Sequence, residues 1–179
     1  IKNLNESKMK YQGSYCALIT PFKDDIFDEK SFIKIIEWHI KQGTQGIVPC
    51  GTTGESPTLS HDEHKKVVEL AVETSGGRLQ VIAGTGSNST KEAVSLTKHA
   101  KQCGADSALV VVPYYNKPSQ EGLKKHFLKI ADTVDLPIFI YNIPGRSVVD
   151  MSNETIEKLS EHENIVGIKD ASNDLSRPA

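Results

Sequence analysis

The sequence predicts an α/β fold of the TIM (β/α)8 barrel type, reduced to about its first six βα units, and three observations predict it. Short apolar runs alternate with amphipathic stretches along the 179 residues, and strands start near residues 15, 46, 79, 108, 137 and 165, steps of about 28 to 33. That step is the length of one strand, one helix and two short loops, and regular alternation of this kind implies a parallel sheet with helices outside it. Residues able to do chemistry follow nearly every strand instead of gathering at one switch point, which favours a barrel over a doubly wound open sheet. Finally, six strands precede Arg177-Pro178-Ala179, whereas a full barrel needs about 250 residues. A sheet of six strands keeps two hydrogen-bonding edges, so low stability is expected unless something covers them.

The elements follow in order. Residues 1–12 are polar, hold no apolar signal core and do not begin with methionine, so they are expected to be a flexible segment ahead of a partial barrel over 13–179 that lacks the last two strands and the carboxy-terminal helical region. Tyr15 to Thr20 reads as the first strand, closed by Pro21, and Asp28 to Gln42 as a helix carrying Phe32, Ile35, Ile36, His39 and Ile40 before Gly43. Gly46 to Pro49 is the second strand. The next helix opens at Ser60 with Glu63 three residues on, a capping-box spacing, and runs through Val67, Val68 and Ala71. Leu79 to Ala83 pairs with a helix from Thr90 to Gln102 stopped by Gly104; Ala108 to Val112 pairs with a helix from Ser119 through Phe127 and Ile130. Pro137 to Tyr141 pairs with a helix from Ser152 through Ile156 and Leu159, and Asn164 to Asp170 is the sixth strand, its β-branched Ile165, Val166 and Ile168 expected to be buried on both faces.

Composition narrows the function. An apolar content of 37% suits one globular core, and a net charge of −2 with interspersed signs offers no basic face to nucleic acid. No apolar run approaches the roughly 18 residues that span a bilayer, so no membrane partner is expected. Cys16, Cys50 and Cys103 are odd in number, far apart and set in or beside apolar runs, which suits reduced core thiols and a cytoplasmic setting.

On a barrel the loops after the strands share one face. Lys169 lies at the end of the sixth strand, where partial burial would disfavour its ammonium form and free the amine to attack a ketone as a Schiff-base nucleophile. The competing reading is a lysine that reaches solvent from a strand end. After the second strand, Gly51-Thr52-Thr53-Gly54-Glu55-Ser56 offers amides and hydroxyls that can cradle a carboxylate, or else a plain glycine turn capped by threonines. The loop at Pro113-Tyr114-Tyr115-Asn116 presents phenols that donate protons or simply pack. Tyr141 sits at a strand tip, and Arg146 on the following loop suits a bidentate carboxylate clamp or a solvated surface position.

Four runs, GTTGES at Gly51 to Ser56, PYYNKPSQEG at Pro113 to Gly122, YNIPGR at Tyr141 to Arg146 and GIKD at Gly167 to Asp170, in this order and each after a strand, resemble the pyruvate-dependent class I aldolases typified by dihydrodipicolinate synthase, over about Gly13 to Leu175. The resemblance implies a lyase of lysine (diaminopimelate) biosynthesis that condenses pyruvate with L-aspartate-4-semialdehyde through a Schiff base on Lys169, giving 4-hydroxy-tetrahydrodipicolinate. It implies that Tyr141 carries protons near the imine, with Thr52 linking it to Tyr115, that Thr53 with Gly51 binds the pyruvate carboxylate, and that Arg146 meets the carboxylate of the aldehyde. No metal or diffusible cofactor is implied. Family members are homotetramers, dimers of dimers, with the Tyr115 equivalent serving across a tight dimer interface. The resemblance also implies an L-lysine effector site at His61, His64, Gly86, Asn88, Glu92 and Tyr114; His61 and His64 stand at i, i+3, but no third ligand is evident nearby, so no metal is expected there.

Two other readings stand beside this one. A sialic-acid lyase or keto-deoxy-sugar aldolase of the same family would share the lysine and tyrosine, but Thr53 and Arg146 match the synthase pattern. An inactive relic would keep the motifs and lack part of the barrel wall.

Overall fold

The structure is a computed structural model that describes residues 11–177; the expected flexible segment lies outside the described residues but for Tyr11 and Gln12. Six strands form one parallel sheet in the order β1 (Tyr15–Ala17), β4 (Gly46–Val48), β5 (Gln80–Gly84), β6 (Ser107–Val111), β7 (Ile138–Asn142) and β8 (Ile165–Asp170). Within this sheet the strands lie in chain order, and the order never reverses. A doubly wound sheet must reverse at a switch point, so this topology is that of a barrel wall over six βα units.

Helices α1 (Glu29–Lys41), α2 (His61–Ser75), α3 (Thr90–Cys103), α4 (Gln120–Thr133) and α6 (Asn153–Ser160) cover the outside, and local chemistry sets their ends. Asp28, Ser60, Ser89, Ser119 and Ser152 each accept a hydrogen bond from a first-turn amide, and Ser60 with Glu63 closes the capping box read from the sequence. Gly104 ends α3 at φ +90°, a left-handed conformation that a side chain would strain. The core lies between sheet and helices. Phe32 and Ile36 from α1, Val67 and Val68 from α2, and Phe127 and Ile130 from α4 are fully buried against Ile47, Val110, Ile138 and Ile140 from the strands. Each such side chain contributes about 1.5–3 kcal/mol by leaving water. Tyr11 packs its ring edge-on against Phe139 at 4.8 Å.

Three elements escape the sequence reading. A hairpin, β2 (Phe22–Lys23) and β3 (Ile26–Phe27), turns at Asp24 and Asp25, both at positive φ (52° and 59°), which suits short polar residues in a tight hairpin. A 3-10 turn spans Ser56–Thr58, and a single-turn helix, α5, spans Pro144–Ser147. The first strand is also shorter than expected, ending at Ala17 instead of Thr20.

The larger correction concerns β8. Expected to be buried on both faces, it buries only Ile165, while Val166 and Ile168 remain 39% and 37% exposed. β8 pairs with β7 alone, so among the described residues no further strand covers its other side. Buried β-branched composition describes what a strand can tolerate; neighbours decide what is in fact covered. Of the three free thiols, Cys50 is buried, and Cys16 and Cys103 are half-buried instead of core.

Candidate active site

The carboxyl ends of β4, β5, β6 and β7 enclose a cleft of about 280 Å³ lined by Cys50, Gly51, Thr52, Ser56, Pro57, Gly84, Gly86, Leu109, Val111, Tyr114, Tyr141, Ile143, Arg146 and Ser147. Close backbone approach makes this floor possible. A Cβ on Gly84 would fall 2.0 Å from the Cys50 carbonyl oxygen, and one on Gly86 would fall 2.4 Å from the Val111 nitrogen, so only glycine lets the strand ends and loops meet. Cys50 takes φ +54° to turn the chain there, and burial pushes its thiol up to about 12, leaving an inert packing group.

Two expected residues come together directly. In register, Tyr141 of β7 stands opposite Lys169 of β8, and the Lys169 ammonium lies 4.4 Å from the centroid of the Tyr141 ring. Tyr141 is 6% exposed, so a cation meets an aromatic face that is largely dry. Lys169 itself is exposed, which corrects the expectation of partial burial: it stands on the edge strand, with only β7 beside it. It borders the cleft through Tyr141 and does not form its wall.

The GTTGES loop folds back on itself. Gly54, Glu55 and Ser56 donate their amides to Gly51 and Thr52 carbonyls, and Thr20 Oγ1 donates to the Gly54 carbonyl at 2.7 Å. Among the described residues the amides of Thr52 and Thr53 have no acceptor, so both remain able to donate to an anion. Thr52 lines the cleft, whereas Thr53 is exposed just outside it. Arg146, carried by α5, borders the cleft and forms no ion pair among the described residues, leaving its fork for a carboxylate. Tyr115 faces outward. It is 92% exposed at φ +71°, and among the described residues no hydrogen bond joins it to Thr52 or Tyr141.

The expected effector residues partly converge. Ser56, Pro57, Leu59, His61, His64, Gly86, Glu92, Leu96 and Tyr114 surround a smaller cavity of about 90 Å³ that shares Ser56, Pro57, Gly86 and Tyr114 with the cleft. His61 Nε2 lies 2.5 Å from Glu92 Oε1, and the Ser87 hydroxyl bonds the other carboxylate oxygen; this bond first, then His61, holds the Glu92 carboxyl below its ordinary range. His64 is buried with Nε2 2.8 Å from the Gly84 carbonyl, and burial holds it below its ordinary value. Asn88 is outside the cavity wall, its carbonyl accepting from Asn116 Nδ2.

The sequence reading missed the bracing of the Lys169 strand. Asn142, fully buried at the end of β7, donates from Nδ2 to Asp150 Oδ1 at 2.8 Å and accepts from the Met151 amide at 3.1 Å. Arg177 spans Asp170 at 3.0 Å, Asp150 at 3.4 Å and the Met151 carbonyl at 2.6 Å. Burial alone would raise the Asp170 carboxyl, but bonds from Ser172 and Asn142 with the Arg177 charge outweigh it and hold it low. Asp170 next to Lys169 was the available signal; its partners are distant in sequence.

Comparison with known proteins agrees with this geometry. A sequence model of the dihydrodipicolinate synthetase family matches residues 10–178. A 4-hydroxy-tetrahydrodipicolinate synthase of Parvibaculum lavamentivorans is 61% identical over 93% of this chain and 57% of its own. A chloride-inhibited dihydrodipicolinate synthase of Acinetobacter baumannii, solved in complex with pyruvate, superposes with a TM-score of 0.91 at 55% identity, covering 93% of this chain and 57% of that one. A DHDPS of Cyanidioschyzon merolae, solved with lysine bound, gives 0.88 at 42% identity over 92% and 57%. The chain thus spans a little over half the length of the relatives it matches.

Proposed function

Because this chain belongs to the dihydrodipicolinate synthetase family, we propose that it carries the Schiff-base half of a 4-hydroxy-tetrahydrodipicolinate synthase site, condensing pyruvate with L-aspartate-4-semialdehyde. The observation that carries the reading is the Lys169 amine held 4.4 Å from the Tyr141 ring, beside a cleft with free donors. In the proposed reaction the neutral Lys169 amine adds to the pyruvate ketone and water leaves, forming an iminium. Loss of a methyl proton gives an enamine, whose carbon attacks the aldehyde, and the aldehyde's proton demand is met as alkoxide becomes hydroxyl. The substrate's own amine then displaces Lys169 and closes the ring. Tyr141 is assigned the proton transfers, since its ring packs against the amine.

The unengaged Thr52 and Thr53 amides suit the pyruvate carboxylate, and the unpaired Arg146 suits that of the aldehyde. Tyr115 points away from its own cleft, which suits a role in a second subunit, so a homo-oligomeric dimer of dimers is part of the proposal. The edge of β8 must be covered for the amine to lose water, so the site reaches its working form in a closed barrel. Three free thiols suit a cytoplasmic enzyme, and no helix of the described residues is long and apolar enough to cross a membrane. L-lysine is proposed as an effector at the smaller cavity, where Glu92 can meet its ammonium; calorimetry with millimolar L-lysine that shows no heat would remove that assignment.

The test is chemical trapping. Pyruvate and borohydride together should leave a reduced adduct mapped by peptide mass spectrometry to Lys169, and an unmodified Lys169 under conditions that trap a control aldolase would overturn the assignment.

A further inference from the structure

On the outer face of the barrel wall, away from the cleft, α2 and α3 pack side by side and bring three ligating side chains together. His99 and Cys103 stand at i and i+4 on α3, so they share one face, and Glu69 reaches them from α2. One ligand atom from each lies within 4.8 Å of the others. We propose that Glu69, His99 and Cys103 form a binding site for a thiophilic divalent cation of the zinc class, with water in the remaining position.

The sulfur-to-imidazole separation fits that ion. Ligand bonds of about 2.3 Å to sulfur and about 2.0 Å to imidazole, opened to a tetrahedral angle, place sulfur and nitrogen roughly 3.6 Å apart. Cys103 Sγ lies 3.5 Å from His99 Nε2. Nitrogen and carboxylate oxygen should stand roughly 3.4 Å apart on the same geometry, and Glu69 Oε1 lies 2.9 Å from Nε2. The sulfur is almost as close to Nδ1, at 3.7 Å, so closing on an ion asks for a turn of the imidazole about χ2 and a short retreat of Glu69. Both are small motions of side chains on a helix surface.

The ligand set also selects the metal. Thiolate and imidazole favour zinc, cobalt or copper over magnesium or calcium, which take oxygen. Exposure is graded suitably: the His99 side chain is 17% exposed and Cys103 is half-buried, while Glu69 is 50% exposed, so the carboxylate side is open for water to complete the shell. Without metal, burial and then the Glu69 charge push the Cys103 thiol up, so binding releases the thiol proton to solvent and should strengthen as pH rises. An ion there would tie α2 to α3, the two helices whose first turns hold His61, His64 and Glu92. This inference stands independently of the proposed activity.

Cobalt(II) alone is the probe. Added to the reduced protein, it should produce a thiolate-to-cobalt charge-transfer band with intense tetrahedral d–d bands, saturating at one equivalent and bleached by Zn2+. Cys103→Ser should abolish the charge-transfer band, His99→Gln should weaken affinity at least tenfold, and Cys16→Ser should leave both unchanged. Circular dichroism of each variant checks that it is folded, and Glu69→Gln, an exposed change, gives a second reduced-affinity arm. Absence of the band in the folded wild type, or its persistence in folded Cys103→Ser, would overturn the site and leave a helix-packing His–Glu pair.

Discussion

His126 makes a sharp prediction about acid stability. It lies on α4, 4% exposed, with its ring edge-on to Phe127. Nδ1 is 2.9 Å from Thr90 Oγ1, and Nε2 is buried without a partner among the described residues. Burial brings its pKa down from 6.5 to about 4, because a protonated ring would carry its charge into the core with one N–H unsatisfied. Between these values the unfolded chain binds a proton that the folded chain refuses. Stability is therefore complete above about pH 6.5 and falls as pH drops toward 4, the loss levelling off below that. At about 1.36 kcal/mol per decade the full loss is roughly 3 kcal/mol, of which about 2.5 kcal/mol is reached by pH 4.5. The perturbation is His126→Gln, which keeps a hydrogen-bonding partner for Thr90 and cannot titrate. Urea unfolding at pH 7.5 and 4.5 should show the wild type losing about 2.5 kcal/mol more than the variant. Contributions of His64 and of the lowered carboxyls of Glu92 and Asp170 are common to both proteins and cancel in that difference. Equal losses in the two proteins, or an imidazole NMR titration of His126 near its ordinary value, would refute the reasoning.

Other expectations follow from the site. Tyr141→Phe keeps the ring under the Lys169 amine and removes the hydroxyl, so borohydride trapping of pyruvate should persist while turnover in the closed enzyme falls by roughly 10²-fold or more; unchanged turnover would move the proton transfers elsewhere. Gly86→Ala drives a methyl against the Val111 backbone, and unfolding should come about 1–3 kcal/mol earlier by urea denaturation. Asn142→Ala strands the Met151 amide and loosens Asp150, costing about 2 kcal/mol of stability, and Asn142→Asp should not restore it, because a carboxylate there faces Asp150 and Asp170.

Much of the architecture was legible because it is local. The capping box at Ser60, helix starts at Ser119 and Ser152, the glycine after α3, and apolar residues at helical spacing each act within a few residues, so helix positions could be read from order alone. The hairpin at Asp24-Asp25 was missed because its strands are only two residues long, too short for alternation to show. At the site, the sequence placed Lys169 and Tyr141 on strand ends and Thr52 and Arg146 on the segments that follow strands, and the structure has them there. The bracing by Asn142, Asp150 and Arg177 was not legible, since it arises from contacts across 7 to 28 positions that no spacing within one run marks.

What the sequence determined by itself was the beat of strand and helix, the caps, and which reactive groups occupy strand ends, all consequences of interactions between near neighbours. Tertiary structure decided the rest: the β7–β8 register that sets Lys169 over Tyr141, the outward course of Tyr115, the exposure of the β8 edge, and the approach of α2 to α3 that joins Glu69 to His99 and Cys103. Each of these depends on which distant surface is present to pack against, and burial belongs to the pair of surfaces that meet, not to either segment alone.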